Sequence, residues 1–378
     1  MKLLIAGDLV PTESNADLFS KADLNTLLGE ELLKIWKSAD ERIFNLEVPL
    51  INICNPIEKC GPNLASSTDT INGIKALNPS CITLANNHIL DQGTDGLRST
   101  ELILSKNNIS FVGVGDNLKE ASKPYVIDSG DIKVGIYACA ENEFSIATDI
   151  SSGANPFDPL ESLDHINKLK QNCDYVIVLY HGGKEHYRYP SPYLQKVCRK
   201  IVQKGADLVV CQHSHCIGCF EEFENSVIVY GQGNFIFDDS ESEFWKTSLI
   251  IDVIFDREMK VNYIPILKKD NLIRLADKEE AQKILNCFNQ RSEKILDRDF
   301  IGKEYKKFAK ENFEYYLKGF SGNGKWISRI DRYVFNGLIL KSKYNNDKLL
   351  KIRNYIECEA HKELVIEAIK YGLNKNKL

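Results

Sequence analysis

Short apolar runs alternate with stretches of helical spacing along the chain up to about residue 246. The runs LLIAG (3–7), RIFNLEV (42–48), CITLA (81–85), KVGIYAC (133–139), YVIVLYH (175–181), LVVCQH (208–213) and SVIVYGQGNFIF (226–237) are rich in β-branched and aromatic residues, and each predicts a strand. Between them, residues 24–39, 67–77, 94–107, 160–171 and 193–205 place apolar side chains at helical intervals. In the last of these, Leu194, Val197, Ile201 and Val202 share one face and Gly205 stands at the C-cap. This alternation predicts an α/β fold with a covered sheet.

Past residue 246 the pattern changes. TSLIIDVIFDREMKVNYIPIL predicts a hairpin turning near Asp256, Arg257 and Glu258. From about 277 the chain is dense in Lys, Glu, Asn and Tyr at helical period. A boundary near 270 is expected, dividing a domain of residues 1–270 from a helical region of 271–378 ending in a frayed NKNKL tail. The tyrosines of that region (Tyr305, Tyr315, Tyr316, Tyr333) read as helix packing, not as a nucleic-acid surface.

Composition adds three limits. A chain of 378 residues suits two domains, or one large domain with an appendage. A formal charge of −5 argues against non-specific nucleic-acid binding and against an anionic membrane surface. Eleven cysteines at irregular spacings read as free thiols; Cys216 and Cys219 lack the second pair a structural zinc site needs. The opening MKLLIAGDLV is too short in apolar core for a signal peptide, and no window approaches 18 apolar residues. The expected location is cytoplasmic.

Candidate chemistry collects where strands end. The first strand stops at Gly7-Asp8, the second runs into Asn45-Leu46-Glu47, and the third into Asn86-Asn87-His88 with Asp91 and Gly93 beyond. A later strand ends in His181-Gly182-Gly183, followed by Glu185 and His186, and the next in CQHSH, which carries His213 and His215. Ligands of open α/β sheets bind beyond the carboxyl ends of strands, so these clusters can converge. Singly, each has a plainer reading: Gly-Asp as a turn, Asn-Leu-Glu as a solvated edge, Asn-Asn-His as a helix N-cap. His-Ser-His is more telling, since residues two apart on a strand share a side. Together, carboxylates and imidazoles suit divalent zinc, manganese or iron. The amide of Asn87 is more natural beside a second ion. Two ions roughly 3.5–4 Å apart can share a carboxylate and activate water for in-line attack on phosphorus.

With these elements the chain resembles the CapA family, named for a protein of poly-γ-glutamate capsule synthesis, which is similar to calcineurin-like metallophosphoesterases. The resemblance covers roughly residues 1–265 and lies in GD (7–8), NLEVP (45–49), LANNHILDQGTDGL (84–97), HGGKEHY (181–187), GADLVVCQHSH (205–215) and YGQGNFIFD (230–238). It implies a four-layer α/β/β/α sandwich. It also implies that Asp8 and His215 bind one ion, that Asn87, His181 and His213 bind a second, and that Glu47 bridges both. His88 would be a general acid or donor to a substrate oxygen, oriented by Asp91, for which a turn or cap is the plainer role. Metallophosphoesterases usually continue the first motif as Asp-x-His. Here it reads Asp8-Leu9-Val10, so the first ion loses an imidazole. Glu185, His186 and Arg188 can face substrate, Arg188 as a phosphate or carboxylate clamp, or form a solvated loop. Asn234 can line the site or be a turn amide.

The leading expectation is a cytoplasmic, metal-dependent hydrolase of the CapA type. It would carry two divalent ions and cleave a phosphoester, or act on an amide-linked intermediate, in capsule or surface-polymer assembly. Its partners would be that intermediate and other polymer-synthesis proteins. One alternative is a non-catalytic, polymer-binding subunit of a synthesis complex. Another is a nucleotidase or phosphodiesterase, which needs an aromatic wall for a base; Tyr187 and Tyr189 are the near candidates.

Overall fold

The computed structural model describes residues 1–237, 242–335 and 337–375. Asp238, the last residue of the YGQGNFIFD motif, and residues 376–378 of the tail lie outside them. The chain divides into two compact units, Met1–Gly302 and Lys303–Leu378.

Among the described residues, fifteen strands build the first unit: β1 (Lys2–Leu9), β2 (Glu41–Leu46), β3 (Cys81–Thr83), β4 (Phe111–Val112), β5 (Val114–Gly115), β6 (Tyr125–Asp128), β7 (Lys133–Ala140), β8 (Gly153–Ala154), β9 (Tyr175–His181), β10 (Leu208–Gln212), β11 (Phe220–Phe223), β12 (Ser226–Val229), β13 (Thr247–Phe255), β14 (Met259–Lys269) and β15 (Leu272–Leu275). Seven form one sheet in the order β15-β14-β13-β1-β2-β3-β4, and six form another in the order β11-β12-β10-β9-β7-β6. β5 and β8 pair separately. β1, β2 and β3 run parallel, as do β7, β9 and β10, so their carboxyl ends lie along common edges.

Side-chain alternation fixes the layers. In β1, Leu3 and Ile5 join Ile43 in a core shared with Ile136, Ile177 and Leu208 of the other sheet. Leu4 and Ala6, pointing the other way, pack with Leu27, Leu32 and Trp36 of the helices Leu24–Leu28 and Glu30–Lys37. In β9, Ile177 and Leu179 face the first sheet while Val176, Val178 and Tyr180 pack outward with Val197 and Ile201 of helix Pro192–Gln203. Three apolar cores therefore separate four layers, α/β/β/α, as the family resemblance implies. Each fully buried Leu or Ile contributes roughly 1.5–3 kcal/mol.

Two elements differ from the sequence pattern. The helix expected over 24–39 divides at Gly29. The strand expected over 226–237 stops at Val229 because Gly231 and Gly233 take φ of +116° and +79°. The chain then turns back onto β1, where Ile236 bridges Leu9. A Cβ on Gly7 would collide with the Gly233 carbonyl, so the first and last motifs are sterically matched.

The expected boundary near 270 falls short of Gly302, where the compact unit ends. Helix Lys278–Lys294, opened by an Asp277–Glu280 capping box, buries Phe288 against Phe220 of β11 and Tyr263 of β14 at ring separations of 5.0 and 4.9 Å. Ile295 and Ile301 add to the outer core.

The second unit is helical, with helices Phe313–Ser321, Lys325–Tyr333, Leu338–Lys343, Asn346–Glu357 and Glu359–Lys375. Buried Asp331 accepts from the amides of Ile339 and Leu340, capping the third of these. Tyr315 and Tyr333 are 70% and 75% exposed, contrary to the packing role expected of them.

Candidate metal centre

Five strand ends deliver the polar residues to one place. Asp8 stands near the end of β1, and Glu47 follows β2 with its amide donating to the Leu9 carbonyl at 3.0 Å. Asn87 and His88 follow β3, His181 ends β9, and His213 and His215 follow β10. The last pair does not share a strand face as the two-residue spacing suggested, because β10 ends at Gln212. His213 and His215 instead take φ of +80° and +53°, and this left-handed turn swings both rings inward. The His213 amide is held by Asp8 Oδ2 at 3.2 Å, and the Ser214 carbonyl by the His186 amide at 2.9 Å.

Around His181 the donor atoms are close. Its Nε2 lies 3.0 Å from Asn87 Oδ1, 3.2 Å from Glu47 Oε1 and 3.2 Å from His213 Nδ1. On the other side of Glu47, His215 Nδ1 lies 3.8 Å from Asp8 Oδ2. Two donor sets result, Glu47–His181–His213 and Asp8–Glu47–His215, each with atoms within 4.8 Å of one another. Glu47 belongs to both.

The electrostatics single out Glu47. Its side chain is fully buried, and neither carboxylate oxygen has a hydrogen-bond partner. Burial, and next the charge of Asp8, push its pKa up to about 8. An ionised buried carboxylate without a donor is costly, and a divalent cation is the partner that removes the cost. Burial also lowers the pKa of His181, and lowers that of His213 further with help from the His181 and His215 rings. Both imidazoles are thereby kept neutral, the form that ligates a metal. The donor set fits a divalent ion on these grounds. Val10, at the position where metallophosphoesterases place a further histidine, is packed in the apolar core.

The remaining expected residues fall into three groups. Asn234 Oδ1 sits 2.8 Å from His215 Nδ1 and so orients a candidate ligand. His88 Nδ1 is 2.6 Å from Asp91 Oδ2, and the charge of His88 is felt at Glu47 and His213. Glu185 is exposed, but its charge reaches Glu47 and His181. His186 accepts from the Trp245 indole at 3.0 Å and lies 6.2 Å from the His215 ring, centre to centre. Arg188 turns elsewhere, donating to the Ile217 carbonyl at 2.9 Å and to Glu243 at 3.0 Å. Tyr187 is buried and meets Tyr189 edge-on, and Tyr189 meets Phe300. Trp245 lies 5.0 Å from the His215 ring.

Three contributors escaped the sequence reading. Asn45 donates to Asp8 Oδ1 at 2.8 Å and sits 3.3 Å from His181 Nδ1, tying β1, β2 and β9 together. Its place inside NLEVP was the available signal. Lys59 Nζ lies 2.5 Å from Asp91 Oδ1 and 3.2 Å from His88 Nδ1, and is almost wholly buried. It comes from a loop without periodicity, so nothing in the sequence marks it. Glu141, after β7, accepts from the Gly183 amide at 3.0 Å, and burial raises its pKa.

A four-layer sandwich with a buried carboxylate and imidazole cage at its strand ends defines an α/β protein with a site compatible with metal binding. Residues 2–239 match the family described as bacterial capsule synthesis protein PGA_cap, and the chain belongs to that family. It is 28% identical over 223 residues to capsule biosynthesis protein CapA of Bacillus anthracis, covering 57% of this chain and 54% of that protein. It is 27% identical over 191 residues to PGA biosynthesis protein CapA of Bacillus subtilis, covering 50% of each chain. The chain thus spans about half the length of these curated relatives. Among solved structures, it is similar to a phosphatase of Mycoplasma pneumoniae at 16% identity and a TM-score of 0.44, covering 71% of this chain and 94% of that one. No helix among the described residues is long and apolar enough to cross a membrane.

Proposed function

We propose that the protein is a metal-dependent hydrolase that cleaves a phosphoester, or acts on an amide-linked intermediate, in assembly of a capsule or other surface polymer. The observation that carries this is the unpartnered, buried carboxylate of Glu47, standing between Asp8 and His215 on one side and His181 and His213 on the other. Asp8, Glu47 and His215 would hold one divalent ion; Glu47, Asn87, His181 and His213 would hold a second, with manganese, zinc or iron suited to the donors. Ions bound there supply Lewis-acid polarisation of a phosphoryl oxygen and neutralise charge that builds on it.

The chain's own residues do the rest. Asp91 fixes His88 through Nδ1, leaving Nε2 as the atom that gives a proton to a leaving oxygen. Lys59 holds Asp91 in place. Asn45 holds the Asp8 carboxylate against β2, and Asn234 holds the His215 ring. The polymer assignment comes from the family and the names of its relatives.

The test is a screen of the manganese-loaded protein against phosphoesters and γ-glutamyl amides, with Asp8→Asn and His213→Ala alongside. Turnover of one class, lost in both folded variants, is the expected result. Hydrolysis of neither class, with normal polymer output from both variants in cells, would favour a non-catalytic polymer-binding subunit.

A further inference from the structure

A cavity of about 390 Å³ opens between the Arg188 loop and helix Lys278–Lys294. Four cations line it, Arg188, Lys246, Lys283 and Arg291, against two acids, Glu243 and Glu280. Both acids are already engaged. Glu243 pairs with Arg188 at 3.0 Å, and Glu280 closes the capping box on the Asp277 amide. Arg291 is partly buried and spends its Nε on the Gly218 carbonyl at 2.6 Å. Among the described residues no carboxylate pairs with Arg291 or Lys283. Burial, and next the nearby charge of Arg188, lower the Arg291 pKa, so two guanidinium groups stand near one another at this cavity. A planar guanidinium with open donors beside a second one is the arrangement that binds carboxylate or phosphate.

We propose that this cavity is a binding site for a small oxyanion ligand, held by Arg291 and Lys283 with Arg188 at its edge, apart from the metal centre. It is of ordinary size for a small-molecule pocket. Arg188, which the sequence suggested as a phosphate or carboxylate clamp facing substrate, lines the edge of this cavity.

Calorimetric titration of the full chain, stripped of metal with EDTA, tests the site without requiring turnover or a bound ion. Inorganic phosphate and glutarate are titrated separately at low ionic strength. The expected result is one-to-one binding of at least one of them, weakened at least tenfold by Arg291→Gln and by Lys283→Glu. Phosphate alone would assign a phosphoryl ligand, glutarate alone a carboxylate, and both a shared oxyanion site. Lys283 is exposed on a helix, so its variant reads the site even where loss of the Arg291 bond to Gly218 disturbs folding. Absence of binding by either probe, or affinity unchanged in Lys283→Glu, overturns the proposal.

Discussion

Glu47 Oε1 lies 3.2 Å from His181 Nε2, yet neither oxygen of the Glu47 carboxylate accepts a hydrogen bond. A pair so close and so poorly satisfied makes sense as two ligands of one ion. Its consequences can be measured on the metal-free protein, through pH. A carboxyl whose pKa rises from 4.5 unfolded to about 8 folded binds more protons in the native state between those values. Its contribution to stability is complete below pH 4.5 and is lost as pH climbs through 8. His181 and His213 have lowered values and act the opposite way, costing stability only as pH falls below about 6.5. Between pH 6.5 and 8 these two histidines therefore no longer oppose Glu47. Metal-free protein is expected to lose about 2 kcal/mol over that interval, seen as a falling Tm, and added manganese should raise Tm more at pH 8 than at 6.5. A Tm flat with pH in both forms would refute this assignment.

The 2.8 Å contact between Asn234 and His215 gives a second expectation. Asn234→Ala removes the group that orients the ring and should weaken metal affinity about 10- to 100-fold. Circular dichroism should be unchanged. Equilibrium titration with manganese checks it; unchanged affinity would make Asn234 a turn amide and nothing more.

Lys59 and Asp91 form a pair with side chains 2% and 0% exposed. Breaking one partner of such a pair strands the other charge, so Lys59→Met should destabilise the protein by about 3–5 kcal/mol in chemical denaturation. His88→Gln touches no donor of either metal set. It should leave metal content intact while lowering kcat by about 10²- to 10⁴-fold on whichever substrate is turned over. Loss of metal from His88→Gln would place that residue among the ligands.

Truncation separates the two boundaries. A chain ending at Gly302 keeps Phe288, Ile295 and Ile301, all buried in the first unit, and should fold and bind metal. A chain ending at 270 loses them and should be insoluble or molten; one Phe→Ala change in a core already costs about 3–5 kcal/mol. Limited proteolysis and near-ultraviolet dichroism distinguish the outcomes.

The strand ends were legible in the sequence because buried parallel strands read as unbroken apolar runs, and the polar residue after each run is conspicuous. Asp8, Glu47, Asn87, His181, His213 and His215 could be placed at a common edge on that basis. The route of His213 and His215 was misread, since periodicity says nothing of a left-handed turn. The break at Gly231 and Gly233 hid in an apolar stretch that looked continuous. Arg188 reads as a substrate clamp or a loop residue because it lies just after His181 in sequence, whereas its guanidinium is drawn to Ile217 and Glu243. Lys59 and Arg291 act through contacts with distant segments, which no local pattern encodes. The late boundary follows from the same cause: helix Lys278–Lys294 looks like its helical successors, and only its packing against β11 and β14 assigns it to the first unit.

Metal content by inductively coupled plasma mass spectrometry is the most direct check on the cage. Native protein and Glu47→Gln would be equilibrated with manganese and passed through a desalting column. The wild type should retain two ions per chain and Glu47→Gln, which removes the shared charge, should retain neither. No retained metal in the wild type, or equal retention in both, would contradict the account.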